Sequence, residues 1–372
     1  MSMEAQTELI SKKCRFVLNY SLKFIFCGED EILVLHGVRS KFNQTIRDEG
    51  RTHLLGRVLR RLASPASLQD LQEQKVIEEG ELEDAEELLA TLVSQGFISP
   101  ASESPIASYL NAIVGGNRNL DKVCIGIVGA GYLGSRVAAE LAKIGIGQMH
   151  ILDDRCIEKV AVDQAQFNLS PTYIEKGQPY VECLNSHLSE LGYDRLKTIK
   201  EPYHNQDALE SLFSAANFVV ATSEVFSSHL FHTIDIAALS ADKPWMSAFM
   251  DGSEACIGPV YIPGETCCYN EFEIQSEATL SIQPSEYYTY KEEMSKNGLY
   301  SHQFVFPPYA SIAAGFVAGT ASSFLLFGKS SLIGRCFRIN FEKPYVDYEE
   351  ILKLPRSPTS VDMRNGYRQI FL

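Results

Sequence analysis

What this sequence has little of narrows its chemistry first. Basic residues are outnumbered, 33 Lys and Arg against 47 Asp and Glu, for a formal net charge of -14. So acidic a chain repels phosphate backbones and anionic lipid, which argues against broad nucleic-acid or membrane-surface binding while leaving room for a local basic patch. Its nine cysteines, an odd number, follow no regular spacing. That argues against a disulfide framework and fits a reducing, cytoplasmic setting. Met1 to Ile10 is polar and lacks the basic-then-apolar pattern of a signal peptide. No segment is read as offering the roughly 18 uncharged apolar residues of a membrane helix, so no membrane partner is expected. The rest is ordinary globular composition: 372 residues, 45% hydrophobic and 22% charged, enough for two or three cored domains.

Against that background one stretch stands out. Val123 to Val128 reads as a buried strand, Gly129-Ala130-Gly131-Tyr132-Leu133-Gly134 as a G-x-G-x-x-G turn, and Ser135-Arg136 as the start of a helix. The acidic pair Asp153-Asp154 follows about 20 residues later. In such a turn the first glycine takes a conformation other residues resist, the second lets a phosphate approach, and the third lets helix and strand pack closely. Gly129, Gly131, Gly134 and Asp153 are therefore the candidate nucleotide-binding residues, with Asp153 facing a ribose hydroxyl and Asp154 a turn cap. The competing reading is that the turn survives for packing alone.

Residues 99 to 120, rich in Ser, Pro, Gly and Asn, mark a domain boundary. Upstream, Phe16–Tyr20, Lys23–Phe26 and Glu31–Leu35 read as strands, and Leu54, Leu55, Val58, Leu59 and Leu62 as one helix face. Ser67-Leu68-Gln69-Asp70 caps a second helix, Glu81 to Gln95 forms a third that stops at Gly96, and Phe97-Ile98 returns as a strand. This order is that of a winged helix-turn-helix. Such a domain binds DNA, captures an extended peptide on a strand edge, or only packs. Arg51, Arg57, Arg60 and Arg61 are the DNA candidates, but Glu78, Glu79, Glu81, Glu83, Glu86 and Glu87 repel phosphates and tilt the reading toward peptide or packing.

Downstream, Val137–Lys143 reads as a helix, and Met149–Leu152, Asn217–Thr222 and Lys243–Ala248 as strands of a parallel sheet. Ala310 to Ala321 is a helix of small residues suited to close packing. Tyr287-Tyr288-Thr289-Tyr290 reads as an amphipathic packed surface or, alternatively, a groove lining. His229 and His232 lie three apart on a helix without a third ligand, which favours a partly buried pair over metal.

Three phrases now carry a resemblance: Gly129–Arg136, Gly145-Ile146-Gly147 leading to Asp153, and Gly258-Pro259-Val260-Tyr261-Ile262-Pro263-Gly264-Glu265-Thr266-Cys267-Cys268-Tyr269. Over about residues 108 to 340 the chain resembles the ThiF family, relatives of the ubiquitin-activating enzymes that adenylate a carboxylate with ATP. The domain fused in front is similar to the layout of the branch that matures ribosomally made peptide antibiotics, where the small domain binds the precursor's leader. The resemblance further implies a homodimer built near the small-residue helix.

The departures from that family are as informative. Asp153 matches the first residue of the family's Asp-x-Asp, but Arg155 stands at the second. The Arg-Gln segment is best matched by Ala165-Gln166, with Gln164 nearby, and the Gly-x-x-Lys phrase reads Gly177-Gln178-Pro179-Tyr180. Ser223 occupies the magnesium aspartate's place, with Glu224 beside it; Tyr132 crowds the phosphate approach where many members have glycine. Lys176, Arg155 and Glu224 are the available substitutes. Because such charges supply much of phosphoryl-transfer catalysis, their loss argues against ordinary adenylation. Family members also hold structural zinc in two Cys-x-x-Cys pairs; here Cys268 faces Glu271, and serines stand at Ser357 and Ser360, so zinc is expected to be absent. Cys267 and Cys268 read as packing thiols, with a catalytic thiol as the alternative.

The expectation is an α/β protein: a winged helix-turn-helix over 1–105, which binds peptide, and a ThiF-like, doubly wound Rossmann-type domain over 106–372. Its expected role is to bind a bacteriocin-like precursor's leader and present it to a modifying enzyme such as a YcaO-type cyclodehydratase, as a non-catalytic or weakly catalytic partner. The alternatives are an ATP- and magnesium-dependent enzyme that adenylates the peptide itself, and a winged-helix DNA-binding regulator. No catalytic residue and no metal ligand are assigned.

Overall fold

The computed structural model describes residues 14–114, 120–157, 177–223, 227–278, 284–297 and 304–354. Gln164, Ala165, Gln166, Lys176, Glu224, Ser357 and Ser360 lie outside the described residues. The chain divides into two compact units, Met1–Asn119 and Leu120–Leu372.

In the first unit, β1 (Arg15–Leu18), β2 (Lys23–Phe26), β3 (Glu31–Leu35) and β4 (Asn43–Arg47) precede α1 (Leu54–Arg61). Then follow β5 (Ala66–Ser67), α2 (Leu68–Glu73), α3 (Leu82–Ser94), β6 (Ile98–Pro100) and α4 (Pro105–Val114). Two antiparallel sheets form, in the orders β5-β1-β6 and β2-β3-β4. Leu54, Leu55, Val58, Leu59 and Leu62 are all buried, as their helical spacing requires, and share a core with Phe16, Ile32, Leu71, Leu89 and Phe97. Ser67 caps α2 as expected: its hydroxyl accepts from Asp70 N at 3.1 Å, and the Asp70 carboxylate accepts from Ser67 N at 2.8 Å. Asn19, only 1% exposed, fastens the end of α3 to α4 by donating to Gly96 O at 2.9 Å and Ser108 O at 2.8 Å. The unit is winged-helix-like, with two strands beyond the sequence reading, β4 and the two-residue β5.

The second unit runs β7 (Cys124–Val128), α5 (Tyr132–Lys143), β8 (Gln148–Leu152), α6 (Tyr180–Glu190), β9 (Leu196–Ile199) and α7 (Gln206–Ala215). It continues through β10 (Phe218–Ser223), α8 (Ser228–Ala241), β11 (Trp245–Asp251), β12 (Glu254–Tyr261), α9 (Tyr269–Glu277), α10 (Pro284–Asn297), α11 (Pro307–Phe327), β13 (Arg335–Asn340) and β14 (Tyr345–Glu350). One eight-stranded sheet has the order β14-β13-β12-β11-β10-β7-β8-β9. β9 through β11 pair in parallel and β12 to β14 extend the sheet antiparallel. The chain leaves β7 first toward β8 and β9, then returns on its other side as β10 and β11. That reversal makes a doubly wound sheet whose crevice opens beyond the carboxyl ends of β7 and β10.

One expectation fails here. α11 is a 21-residue helix with an 18-residue window of mean hydropathy 1.7, long and apolar enough to cross a membrane by length and composition. It is instead partly buried within the unit: Ala310, Ala313, Ala314, Val317, Ala318 and Ala321 are buried, and the helix packs against α5 and β12. The sequence reads Ala310 to Ala321 as a packing helix and does not count it as a span, because its hydrophobicity is carried by small residues rather than by a leucine-rich run.

Candidate functional site

The crevice is assembled by the turn between β7 and α5. Gly129 has φ +93°, and a Cβ there would sit 2.5 Å from Thr222 O. At Gly134 a Cβ would lie 1.9 Å from Gly129 O and 2.7 Å from Thr222 Oγ1. Both glycines are thus demanded by backbone contact, whatever binds above them. Gly131 is the N-cap of α5 and offers no side-chain cap. Thr222, buried at the end of β10, donates its hydroxyl to Val128 O and Gly129 O, each at 3.0 Å, and so laces the turn to the neighbouring strand.

Asp153 follows β8 and is 5% exposed. Its carboxylate is filled from within the chain. Oδ1 accepts from Arg155 N at 2.9 Å and Arg155 Nε at 3.0 Å; Oδ2 accepts from Ala130 N and Arg155 Nη2, each at 2.7 Å. Burial alone would raise its pKa, but the Arg155 guanidinium and these N–H donors outweigh that and hold it below the usual carboxylate range. Arg155 is anchored in turn: its carbonyl accepts from Tyr180 N at 3.0 Å, and its guanidinium stands over the Tyr180 ring at 5.3 Å. The structure brings Gly129 and Gly134 together, ties their turn to Asp153 through Ala130, and sets Gly131 at the N-cap of α5. What the sequence does not reveal is that Arg155, two residues on, turns back onto the acid.

Ser223 stands half-buried at the carboxyl end of β10, and Tyr132 is buried in the first turn of α5. Arg136 donates to Tyr132 O at 2.7 Å and to Ser311 Oγ of α11 at 3.2 Å, so it joins two helices. Among the described residues, the set that the resemblance assigns to a nucleotide does not fit one: Asp153 is internally paired, the turn's Ala130 N–H is spent on it, and Ser223 stands where the resemblance expects a magnesium-holding aspartate.

The corner where the resemblance expects zinc has a different logic. Glu271 is fully buried; Oε2 accepts from Cys268 N at 2.8 Å and Oε1 from Leu354 N at 2.6 Å. Cys268 thereby completes a capping box at the start of α9, and one carboxylate ties that helix to the chain beyond β14. Gln275 reinforces the tie, donating to Leu352 O at 2.8 Å and accepting from Leu352 N at 3.0 Å. Burial, then the Glu271 charge, pushes the Cys267 thiol far up, which keeps it protonated and removes support for a nucleophile. Among the described residues no group of three or more His, Cys, Asp or Glu is arranged to hold a metal. His232 pairs with Glu273 at 2.9 Å, and Lys291 of α10 reaches the same carboxylate at 3.0 Å. Tyr287 is buried beneath Lys291, whereas Tyr288 is exposed.

In the first unit, three of the four arginines a DNA reading would use are engaged internally, and the fourth, Arg51, is exposed. Arg57 donates to Glu81 at 2.6 Å and to Val76 O at 2.7 Å, Arg61 donates to Gln74 at 2.6 Å, and Arg60 lies 4.0 Å from the Phe26 ring centre. β4 pairs with β3 alone among the described strands, leaving its outer backbone edge open.

A doubly wound sheet of this kind, with its crevice at the reversal, defines a Rossmann-type fold. A sequence model of the ThiF family matches residues 108–358, and the chain belongs to that family. Among solved structures it is similar to the microcin C7 biosynthetic enzyme MccB in complex with N-formylated MccA, at 18% identity and TM-score 0.64, covering 93% of this chain and 100% of that one. It is also similar to E. coli MccB with ATP, at 18% identity and TM-score 0.61, with 93% and 100% covered. A third similar structure is PaaA, at 20% identity and TM-score 0.59, with 90% and 99% covered. At these identities the likeness is one of fold. A search of curated proteins gives no match.

Proposed function

We propose that this protein takes part in the maturation of a ribosomally synthesised, bacteriocin-like peptide in the cytoplasm, with the first unit binding the precursor's leader and presenting it to a separate modifying enzyme of the YcaO cyclodehydratase kind. The observation that carries the reading is the open edge of β4 in a winged-helix-like unit. Asn43, Gln44, Thr45 and Arg47 are exposed and Ile46 reaches the core, so an extended peptide gains backbone hydrogen bonds there as a fourth strand. The internal engagement of Arg57, Arg60 and Arg61 favours this over DNA binding. MccB, a structure of similar fold, has been solved with its MccA peptide.

The test uses a labelled synthetic leader from a precursor gene beside this one. The leader is expected to bind in the micromolar range or tighter and to slow amide exchange across residues 43–47. Binding without protection there would move the site elsewhere, and no binding would sink the reading.

A second reading, ATP-dependent adenylation of the peptide by this chain, is favoured by the intact glycine turn and by the solved complex of MccB with ATP. It requires phosphate or pyrophosphate release by the pure protein with peptide; a silent assay removes it.

We also propose a homodimer through α11. Ile312 and Phe316 are exposed there, beside an open depression of about 500 Å³ that they line with Gly315 and Gly319. A Cβ at either glycine meets nothing within 4 Å, so arginine fits the isolated helix. Gly319→Arg is therefore expected to convert dimer to monomer in light scattering while far-UV circular dichroism shows the fold of each chain intact. A Gly319→Arg dimer would show that this face is free.

A further inference from the structure

We propose that Arg155 is a built-in occupant of the ribose subsite, an autoinhibitory contact that keeps adenosine nucleotides out of the crevice. This rests on the reading that the chain does not itself adenylate its peptide, and it gives that reading a residue-level cause.

An acid at the end of the second strand of such a sheet holds a ribose through its free acceptor sites. A carboxylate has about four of them. At Asp153 four donors already point at the two oxygens, three from Arg155 and one from Ala130. The pair is charge-assisted and two-pronged, the strongest geometry available to these groups. A ribose hydroxyl must break it, and would leave a 5% exposed carboxylate facing a weaker, neutral donor.

The Arg155 side chain is 46% exposed, and the chain around it sets where it starts from. Its backbone is held between the segment after β8 and the start of α6: Tyr180 N donates to Arg155 O at 3.0 Å and Ile157 N to Gln178 O at 2.8 Å, with the Tyr180 ring beneath the guanidinium. The same carboxylate consumes the Ala130 N–H of the glycine turn, so one interaction neutralises the acid and spends a donor of the phosphate loop.

The experiment is ATP binding with magnesium by calorimetry on the full chain. Arg155→Ala is expected to bind ATP at least about tenfold more tightly than the wild type, the scale of one charge-assisted hydrogen bond regained by the ribose. The gain should vanish for 2′,3′-dideoxy-ATP and in Arg155→Ala/Asp153→Asn, neither of which a mere change in folding would single out. Arg155→Gln, which keeps the shape without the charge, should fall between and serves if the alanine variant does not fold.

Equal ATP affinity in wild type and folded variants overturns the proposal, as does a gain that is the same for dideoxy-ATP. Micromolar ATP binding by the wild type also overturns it, whichever variants fold. If that binding comes without phosphate release and the leader still binds, the maturation-partner reading stands while the ribose block falls; loss of leader binding with the expected nucleotide pattern does the reverse.

Discussion

Gly134→Ala is expected to unfold the second unit rather than merely to weaken a ligand. The added methyl would stand 1.9 Å from Gly129 O and 2.7 Å from Thr222 Oγ1. The first of these is backbone, and it belongs to a residue whose own φ of +93° is fixed by close approach to Thr222. Neither β7 nor α5 can retreat cheaply: Ile125, Ile127, Leu133, Val137 and Leu141 are fully buried in the layers they would leave. Overpacking of side chains costs about 1–3 kcal/mol, and a clash with rigid backbone belongs above that range, at about 4 kcal/mol or more. Urea unfolding monitored by circular dichroism checks it. A soluble variant with an unchanged midpoint would show that the turn is not set by packing. The contrast is Gly319, where a Cβ meets nothing within 4 Å inside the chain and a side chain strains no backbone.

Glu271→Ala is expected to cost about 3 kcal/mol, because it strands two N–H donors, those of Cys268 and Leu354, that one buried carboxylate now satisfies. The loss should also speed amide exchange at residues 352–354, while Gln275 alone retains part of the tie through Leu352. A zinc-stapled corner would behave otherwise: chelation would lower the melting temperature, and metal analysis would return one zinc per chain. Here EDTA is expected to leave the melting curve unchanged. A zinc stoichiometry near one, or a Glu271→Ala variant as stable as the wild type, would overturn this account.

Periodicity made much of the fold legible. The leucines at 54, 55, 58, 59 and 62 and the buried run at Cys124–Val128 announce their elements because burial imposes a fixed spacing. β4 escaped because Asn43-Gln44-Thr45-Ile46-Arg47 has little apolar alternation: as an edge strand it buries almost nothing. The site was half legible. Gly129, Gly134 and Asp153 converge as the spacing implied, since glycine turns write their steric demands into the sequence.

Arg155 and Thr222 went unread as partners because hydrogen bonds between side chains and neighbouring turns leave no periodic trace. Their only clues were a cation two residues after a strand-end acid and a hydroxyl at the last inward position of β10. Glu271 looked like a broken metal ligand, but Cys268-x-x-Glu271 also has the spacing of a capping box.

The Thr222 hydroxyl carries a lesson for reading relatives of this chain. By bonding Val128 O and Gly129 O it makes the turn part of the sheet's own scaffold, so selection for folding preserves the glycines after any selection for a ligand has ended. Counting glycines across such a family therefore cannot separate working enzymes from retired ones. The partner of the strand-end acid is the better discriminator, because it decides whether that acid's acceptor sites are filled from within the chain.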